Sequence, residues 1–163
     1  MREIVINTGP VIALVAATDS LMWLSELYDT VWMPQEVSNE LVAGGPNAPE
    51  LQLVVAASAV IRVLPALRVI PRNLANELDR GEASVIQTAL EQVIQTVAID
   101  EKAGRRVARL HGLRVTGSLG ILVKAKEKGL IENLAGCLSK MKSHGIWITD
   151  ALFRQVMCAT AES

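Results

Sequence analysis

Short apolar runs alternate with longer segments of helical periodicity along most of the chain. Residues 4–6 are continuously apolar and end at Asn7-Thr8-Gly9-Pro10, which is typical of a buried strand turning into a helix. The alternation predicts strands at residues 4–6, 30–33, 60–64, 95–100 and 113–116. It predicts helices at residues 11–17, 34–43, 48–57, 82–93, 102–111, 117–128 and 131–143, with a last helix capped by Thr149 or Asp150.

This alternation indicates a three-layer α/β fold, in which helices cover both faces of a mainly parallel sheet. A chain of 163 residues fits one domain over residues 1–163 and buries roughly two-thirds of its unfolded surface. Half of the residues are apolar and 3% are aromatic, so we expect an aliphatic core. Residues 65–79 contain two prolines and are the hardest segment to interpret.

The composition argues against a membrane or secreted protein. The most hydrophobic stretch, residues 51–64, is interrupted by Gln52, Ser58 and Arg62 and is too short to span a bilayer. No charged–apolar–small pattern typical of a signal peptide opens the chain. Cys137 and Cys158 have no metal-ligand spacing. We therefore expect a cytoplasmic protein without a membrane partner.

The net charge of −1 conceals an uneven distribution. Residues 1–70 carry three basic and seven acidic side chains, whereas residues 71–163 carry thirteen and ten. Residues 102–128 contain eight Lys or Arg and one acid. This segment is either a solvated helical face or a surface that faces phosphates. In the helical projection, Lys102, Arg106 and Arg109 share one side with Arg105 beside them, and Ala103, Val107 and Leu110 form the packing stripe.

Four polar residues fall where an open parallel sheet gathers its chemistry, at strand ends and helix starts. Asn7 ends the first predicted strand and Asp100 ends the fourth, with Glu101 beside it. Glu82 starts a helix on the apolar line that continues through Ile86, Ala89 and Val93. Glu40 lies between the core positions Val37 and Leu41, so we expect it half turned inward.

Each of these residues also has a purely structural interpretation. Asp79 to Glu82 forms a capping box, and Glu40 fits an exposed, unpaired helix acid. Asp100 suits a cap for the following helix, and Asn7 suits its turn. Individually these signals are weak, but jointly the four positions resemble a specific pattern.

Five segments resemble the PIN-like nuclease superfamily, and more closely its VapC-like prokaryotic branch. They are spread in the matching order and are VINTGPVIAL (5–14), VWMPQEVSNEL (31–41), LDRGEASVIQTA (78–89), AIDEKAGRRVA (98–108) and GLRVTGSLGILVKAKEKGLI (112–131). The resemblance implies a PIN-like fold and an acidic quartet that binds Mg²⁺ or Mn²⁺ and hydrolyses RNA. It implies that Glu40, Glu82 and Asp100 are catalytic and that they bind the metal together with Asn7, which stands where the superfamily has Asp.

The same resemblance implies an RNA substrate, an antitoxin protein as a partner and a homodimer. Lys102, Arg105 and Arg106 are the expected nucleic-acid-binding residues, because neutralising phosphates gives sequence-independent affinity.

The sequence is also compatible with two functions other than a nuclease. Asn7, together with the lack of stacking aromatics in the basic segment, favours a degenerate PIN-like module that binds nucleic acid or a partner without cutting. A small-ligand-binding doubly wound domain is a weaker alternative, since no GxGxxG follows the first strand.

Overall fold

A five-stranded sheet forms the centre of the protein. In a computed structural model, which describes residues 1–45, 47–65 and 69–160, all strand pairs are parallel and the order is β3-β2-β1-β4-β5. The strands are β1 (Glu3–Ile6), β2 (Thr30–Pro34), β3 (Ile61–Leu64), β4 (Thr96–Ala98) and β5 (Arg114–Thr116). The predicted parallel sheet is thereby confirmed.

The helices in the described part of the chain alternate with these strands. They are α1 (Thr8–Thr18), α2 (Gln35–Ala43), α3 (Pro49–Ala56), α4 (Arg72–Glu77), α5 (Arg80–Gln92), α6 (Lys102–Leu110), α7 (Ser118–Glu127), α8 (Leu134–Ser143) and α9 (Asp150–Ala159). A short 3-10 helix, Met22–Glu26, precedes β2. No helix of these described residues is long and apolar enough to cross a bilayer.

Two helical layers enclose the sheet. Helix α5 packs across β1, β2 and β4 and contacts α6, while α1 contacts α3, α7 and α8 in the other layer. This is the expected α/β/α arrangement. The core is aliphatic. It is built from β1 and β4, which are buried on both faces, and from α1, in which Val11 and residues Ala13 to Ala17 are buried.

The structure shifts several predicted boundaries. Helix α4 lies within the segment that resisted interpretation, although residues 66–68 lie outside the described part of the chain. Helix α8 begins at Leu134 rather than at residue 131, because the Asn133 side chain accepts a hydrogen bond from the Gly136 amide. Thr149 caps the last helix by accepting from the Leu152 amide.

The end of α5 departs from the predicted apolar line. Ile86 and Ala89 are buried as expected, but Val93 is 84% exposed. Its backbone is left-handed, with φ 57° and ψ 45°, and it ends the helix. A β-branched side chain is disfavoured there by roughly 1–2 kcal/mol.

Replacing Val93 should therefore stabilise the protein. We expect Val93→Asn and Val93→Gly to raise the free energy of unfolding by about 0.5–1 kcal/mol, with the entropy cost of glycine offsetting part of its gain. Urea denaturation measures this change. Val93→Ala, which keeps a Cβ, is the control and should gain less. A loss of stability in the Asn and Gly variants would show that the left-handed backbone carries no strain.

Candidate active site

The strand order reverses at the pair β1 and β4, and this reversal creates a crevice at the carboxyl edge of the sheet. The chain leaves β1 towards β2 on one side, while β4 leads to β5 on the other. Crevices of this kind are where open α/β sheets bind ligands. Asn7 directly follows β1, and its backbone N–H donates to the Ala98 carbonyl oxygen at the end of β4 (3.0 Å). Asp100 follows β4 by two residues.

Asp100 is held by the start of α7 rather than by the helix that follows it. The Ser118 amide donates to Asp100 Oδ1 at 2.8 Å. Gly117 permits this contact, because a Cβ at that position would lie 2.6 Å from Asp100 Oδ1 and 2.8 Å from Arg105 Nη1. The interpretation of Asp100 as a cap for α6 is therefore wrong: Glu101 is the N-cap residue there, without a side-chain cap bond.

Glu82 is buried near the start of α5, with only 7% of its surface exposed. The Asp79 side chain accepts from the Glu82 amide at 2.8 Å, so the capping interpretation of Asp79 is correct as well. The Glu82 side chain points to α6, where a Cβ at Gly104 would lie 2.8 Å from Glu82 Oε2. The backbone N–H of Glu82 thus belongs to the helix cap, while its carboxyl group is buried.

Burial, together with neighbouring acids, changes the ionisation of Glu82. Burial is the largest cause, followed by a hydrogen bond and the charge of Asp79 and then by the charges of Glu101 and Glu40. Together they raise the pKa of Glu82 from 4.5 to about 8. A carboxyl group perturbed in this way is typical of functional sites.

Glu40 differs from its expected environment. Its side chain is exposed rather than half buried, but it is not unpaired. Thr8 Oγ1 donates to Glu40 Oε2 at 2.5 Å, and Glu40 Oε1 lies so close to Gly81 that a Cβ there would collide with it. Glu40 therefore reaches from α2 to the starts of α1 and α5.

Asn7 is 6% exposed, and its Oδ1 atom has no hydrogen-bond partner among the described residues. Asn7 is the N-cap residue of α1, but its side chain makes no cap bond. The interpretation of Asn7 as a turn residue whose side chain bonds its own backbone is therefore wrong. Leaving a buried polar atom unpaired costs about 1–3 kcal/mol, which is tolerated where the atom awaits a ligand or water.

The donor set has the chemistry of a site for a hard cation. Carboxylates and an amide oxygen are the ligands that Mg²⁺ accepts. Asn7 Oδ1 has an unused lone pair, and the raised pKa of Glu82 shows that its negative charge lacks a positive partner, so a cation would satisfy both groups. Over residues 1–45, 47–65 and 69–160, however, no three His, Cys, Asp or Glu side chains group closely enough to hold a metal ion. Mg²⁺ commonly keeps several waters and takes one or two carboxylates, so the residues fit an ion that is partly held through water.

The three predicted nucleic-acid-binding residues have different surroundings. Lys102 is exposed as expected. Arg105 is half buried and donates through Nη1 to the Ile99 carbonyl oxygen (2.8 Å), and burial is the main cause that lowers its pKa. Arg106 is exposed and pairs with Glu77 Oε2 at 3.3 Å.

The packing face of α6 also differs from the prediction. Gly104, Val107 and Ala108 are the buried residues of this helix. Ala103 is exposed, as is Leu110 with 72% of its surface accessible. Gly104 was hard to foresee, since its contact with Glu82 joins two helices that are distant in sequence.

A cavity of about 780 Å³ adjoins Asp100. Asp100, Glu101, Lys102 and Arg105 line one part of it, and the start of α7 lines another. Ser118 and Trp147 also line this cavity, and neither was predicted as a site residue from the sequence. The run Thr116-Gly117-Ser118 directly after a strand was the available signal for Ser118; Trp147 had none.

Comparison with known families agrees with this geometry. A family model described as a PIN domain matches residues 3–162. The chain therefore belongs to the PIN domain family, a class with a nuclease-type fold whose members generally use divalent metal ions. A search of curated proteins found no match to the chain.

Ionisation of Glu82 should make stability depend on pH. Because the pKa is higher in the folded state, the folded protein keeps a proton that the unfolded chain releases above pH 4.5. In EDTA, the free energy of unfolding should fall from pH 4.5 to about 8, and Glu82→Gln should remove most of this fall. At pH 8 the variant should be more stable by on the order of 1–3 kcal/mol.

Urea denaturation over this pH range measures the effect. Glu91→Gln is the matched control, because Glu91 lies on the same helix and is exposed. If Glu82→Gln and the wild type lose stability equally, Glu82 does not hold a proton in the folded state.

Proposed function

We propose that this chain is a metal-dependent nuclease that hydrolyses phosphodiester bonds in RNA. The observation that carries the proposal is the buried, unpaired Oδ1 atom of Asn7 at the end of β1. Glu40 and Asp100 both approach the start of α1 directly after Asn7, at Thr8 and Gly9, and the charge of Glu40 contributes to the raised pKa of Glu82. Membership of the PIN domain family supports the nuclease class. The choice of RNA rests on the resemblance of the quoted motifs.

Crowded carboxylates explain why the proposed activity needs a cation. At an effective dielectric near 20, two unit charges about 4 Å apart interact by roughly 4 kcal/mol, so these acids repel one another without a counterion. In the proposal, Asn7, Glu40, Glu82 and Asp100 hold Mg²⁺ or Mn²⁺. When bound, the ion supplies charge for the scissile phosphate and lowers the pKa of a water nucleophile.

The residues of the chain would have distinct parts in this chemistry. The Ser118 backbone amide holds Asp100 Oδ1, and Asp100 Oδ2 lies on the side of Gly9, at the start of α1. Glu82 is the group whose proton a cation would displace. Lys102 and Arg105, which line the cavity next to Asp100, would neutralise phosphates of the bound strand.

A binding module that does not cut RNA is the second candidate function. It is favoured by Asn7, because an amide at this position brings a ligand oxygen but no charge, and the loss of one negative charge weakens cation binding. In the wider proposal the nuclease is the toxin of a toxin–antitoxin pair and acts as a homodimer in the cytoplasm. The toxin role and the homodimer rest on the resemblance alone, and the cytoplasmic location rests on the composition of the sequence.

A cleavage assay separates the two candidates. The wild type with Mn²⁺ or Mg²⁺ should cut single-stranded RNA, and EDTA should stop it. Asp100→Asn and Glu82→Gln keep the shape of each side chain and should lower the rate at least about 100-fold, because each removes a ligand charge. Asn7→Asp should raise the rate, since it adds the missing charge.

Glu91→Gln is again the control, and it should leave cleavage unchanged. Absence of cleavage by the wild type and by Asn7→Asp would favour the binding module. Equal cleavage by the wild type and both acid variants would remove the proposed site from the reaction.

Salt dependence tests the phosphate-binding role of Lys102. Lys102→Ala should weaken RNA binding in EDTA and reduce the slope of log affinity against log salt by about 0.7, because one counterion fewer is released from the single strand. Lys128→Ala is the matched control: it removes the same charge at the far end of α7, roughly 15 Å along the helix from Ser118. An unchanged slope for Lys102→Ala would show that it contacts no phosphate.

A further inference from the structure

The cavity beside Asp100 has two chemically different parts. One part carries the charged residues Asp100, Glu101, Lys102 and Arg105. The other is an apolar wall built from Ile12, Met141, Ile146, Trp147, Ile148 and Leu152. Its volume of about 780 Å³ lies within the range of roughly 300–1,000 Å³ that is usual for ligand pockets. The cavity thus offers an apolar space continuous with the proposed reaction site.

Trp147 differs from the other tryptophans. Trp23 and Trp32 pack against the core, and their ring nitrogens donate to Thr18 Oγ1 and Glu3 Oε1. Trp147 is 87% exposed. It also lines a second, smaller cavity of about 310 Å³ on α8 and α9, so its ring can be reached from both depressions.

The backbone around Trp147 fixes its outward position. Ile148 is buried and Ile146 is half buried, so the exposed ring is placed between two anchored neighbours. The Ile146 amide donates to the Met141 carbonyl oxygen at 3.1 Å. Gly145, with φ 83°, supplies the left-handed turn that leads into this segment. The backbone on both sides of Trp147 is thus anchored, and the indole itself is left open to a ligand.

We propose that Trp147 and the apolar wall form a subsite for one unstacked base of a single-stranded nucleic acid. The proposal rests on the proposed nuclease function and names how that site would hold its substrate. A base has two apolar faces and stacks on an indole, while its phosphate reaches Lys102 and Arg105 in the charged part of the cavity. The strand would then run from the wall towards Asp100.

Charge favours a nucleotide over an apolar peptide as the occupant. A peptide would use the wall but would leave Lys102 and Arg105 facing uncharged backbone. A nucleotide joins an apolar ring to an anion within the length of one residue, and the cavity places an aromatic wall next to two cations, which stand beside the acids Asp100 and Glu101. The peptide is accordingly the alternative that the experiment has to exclude.

Binding of fluorescein-labelled single-stranded RNA, measured by anisotropy in EDTA, tests the subsite without cleavage. Trp147→Ala and Trp147→Leu should lower the affinity roughly 5- to 150-fold, which is the effect of removing one stacking aromatic. Trp147→Phe should retain most of the affinity. Base stacking should also quench wild-type tryptophan emission on RNA addition, and the Phe variant should lose this quenching.

Leu110→Ala, on α6 but outside the cavity, is the control and should bind like the wild type. If Trp147→Leu binds like the wild type, the wall makes aliphatic contacts such as those of a peptide, and the base subsite is overturned. If Trp147→Ala binds RNA unchanged, the subsite is overturned while the nuclease proposal stands. If the wild type binds no RNA, the subsite is overturned too, and cleavage with Mn²⁺ decides the nuclease separately.

Discussion

The pairing of β1 with both β2 and β4 is the constraint on which the site depends. Each pairing is parallel, and the Asn7 amide continues the β1–β4 ladder by donating to the Ala98 carbonyl oxygen. Because the chain departs from β1 and β4 in opposite directions, these two connections lead away from the crevice between the strand ends. The starts of α1 and α5 and the Asp100 segment can therefore meet there.

Close approach between backbones and carboxylates completes this arrangement. Gly81 leaves space for Glu40, Gly104 for Glu82, and Gly117 for Asp100. Any side chain at these positions would push a carboxylate out of the crevice or shift a helix. The geometry of the acidic site therefore depends on these three glycines as well as on the acids. All three glycines lie within the segments that carry the family resemblance.

Local pattern was sufficient to predict most of the fold. The apolar run at residues 4–6 predicts β1 from its own residues. The helices predicted at residues 34–43 and 117–128 are each followed directly by a glycine, and α2 and α7 lie there. Asn7 and Asp100 could be placed for the same reason, because strand ends are set locally. Helical projection failed for α6, since it cannot show that Gly104 is chosen by contact with Glu82.

Features that depend on tertiary contacts were not predictable in this way. Glu40 bonds to Thr8, 32 residues earlier in the chain, and the Arg105 side chain turns back to the Ile99 carbonyl oxygen before its helix. Trp147 carries no signal, because an isolated tryptophan between helices is compatible with core and surface alike. A binding role for Trp147 can be inferred only from its position in the cavity beside Asp100.

The attachment of Asp100 to α7 has a mechanical consequence. Through the Ser118 amide, Asp100 moves with a helix that packs against α1 in one layer, whereas Glu82 belongs to α5 in the opposite layer. The distance between the two carboxylates therefore reports how the layers sit across the sheet. A cation shared by them would clamp the sandwich, so that occupancy of the site and rigidity of the whole domain would rise and fall together.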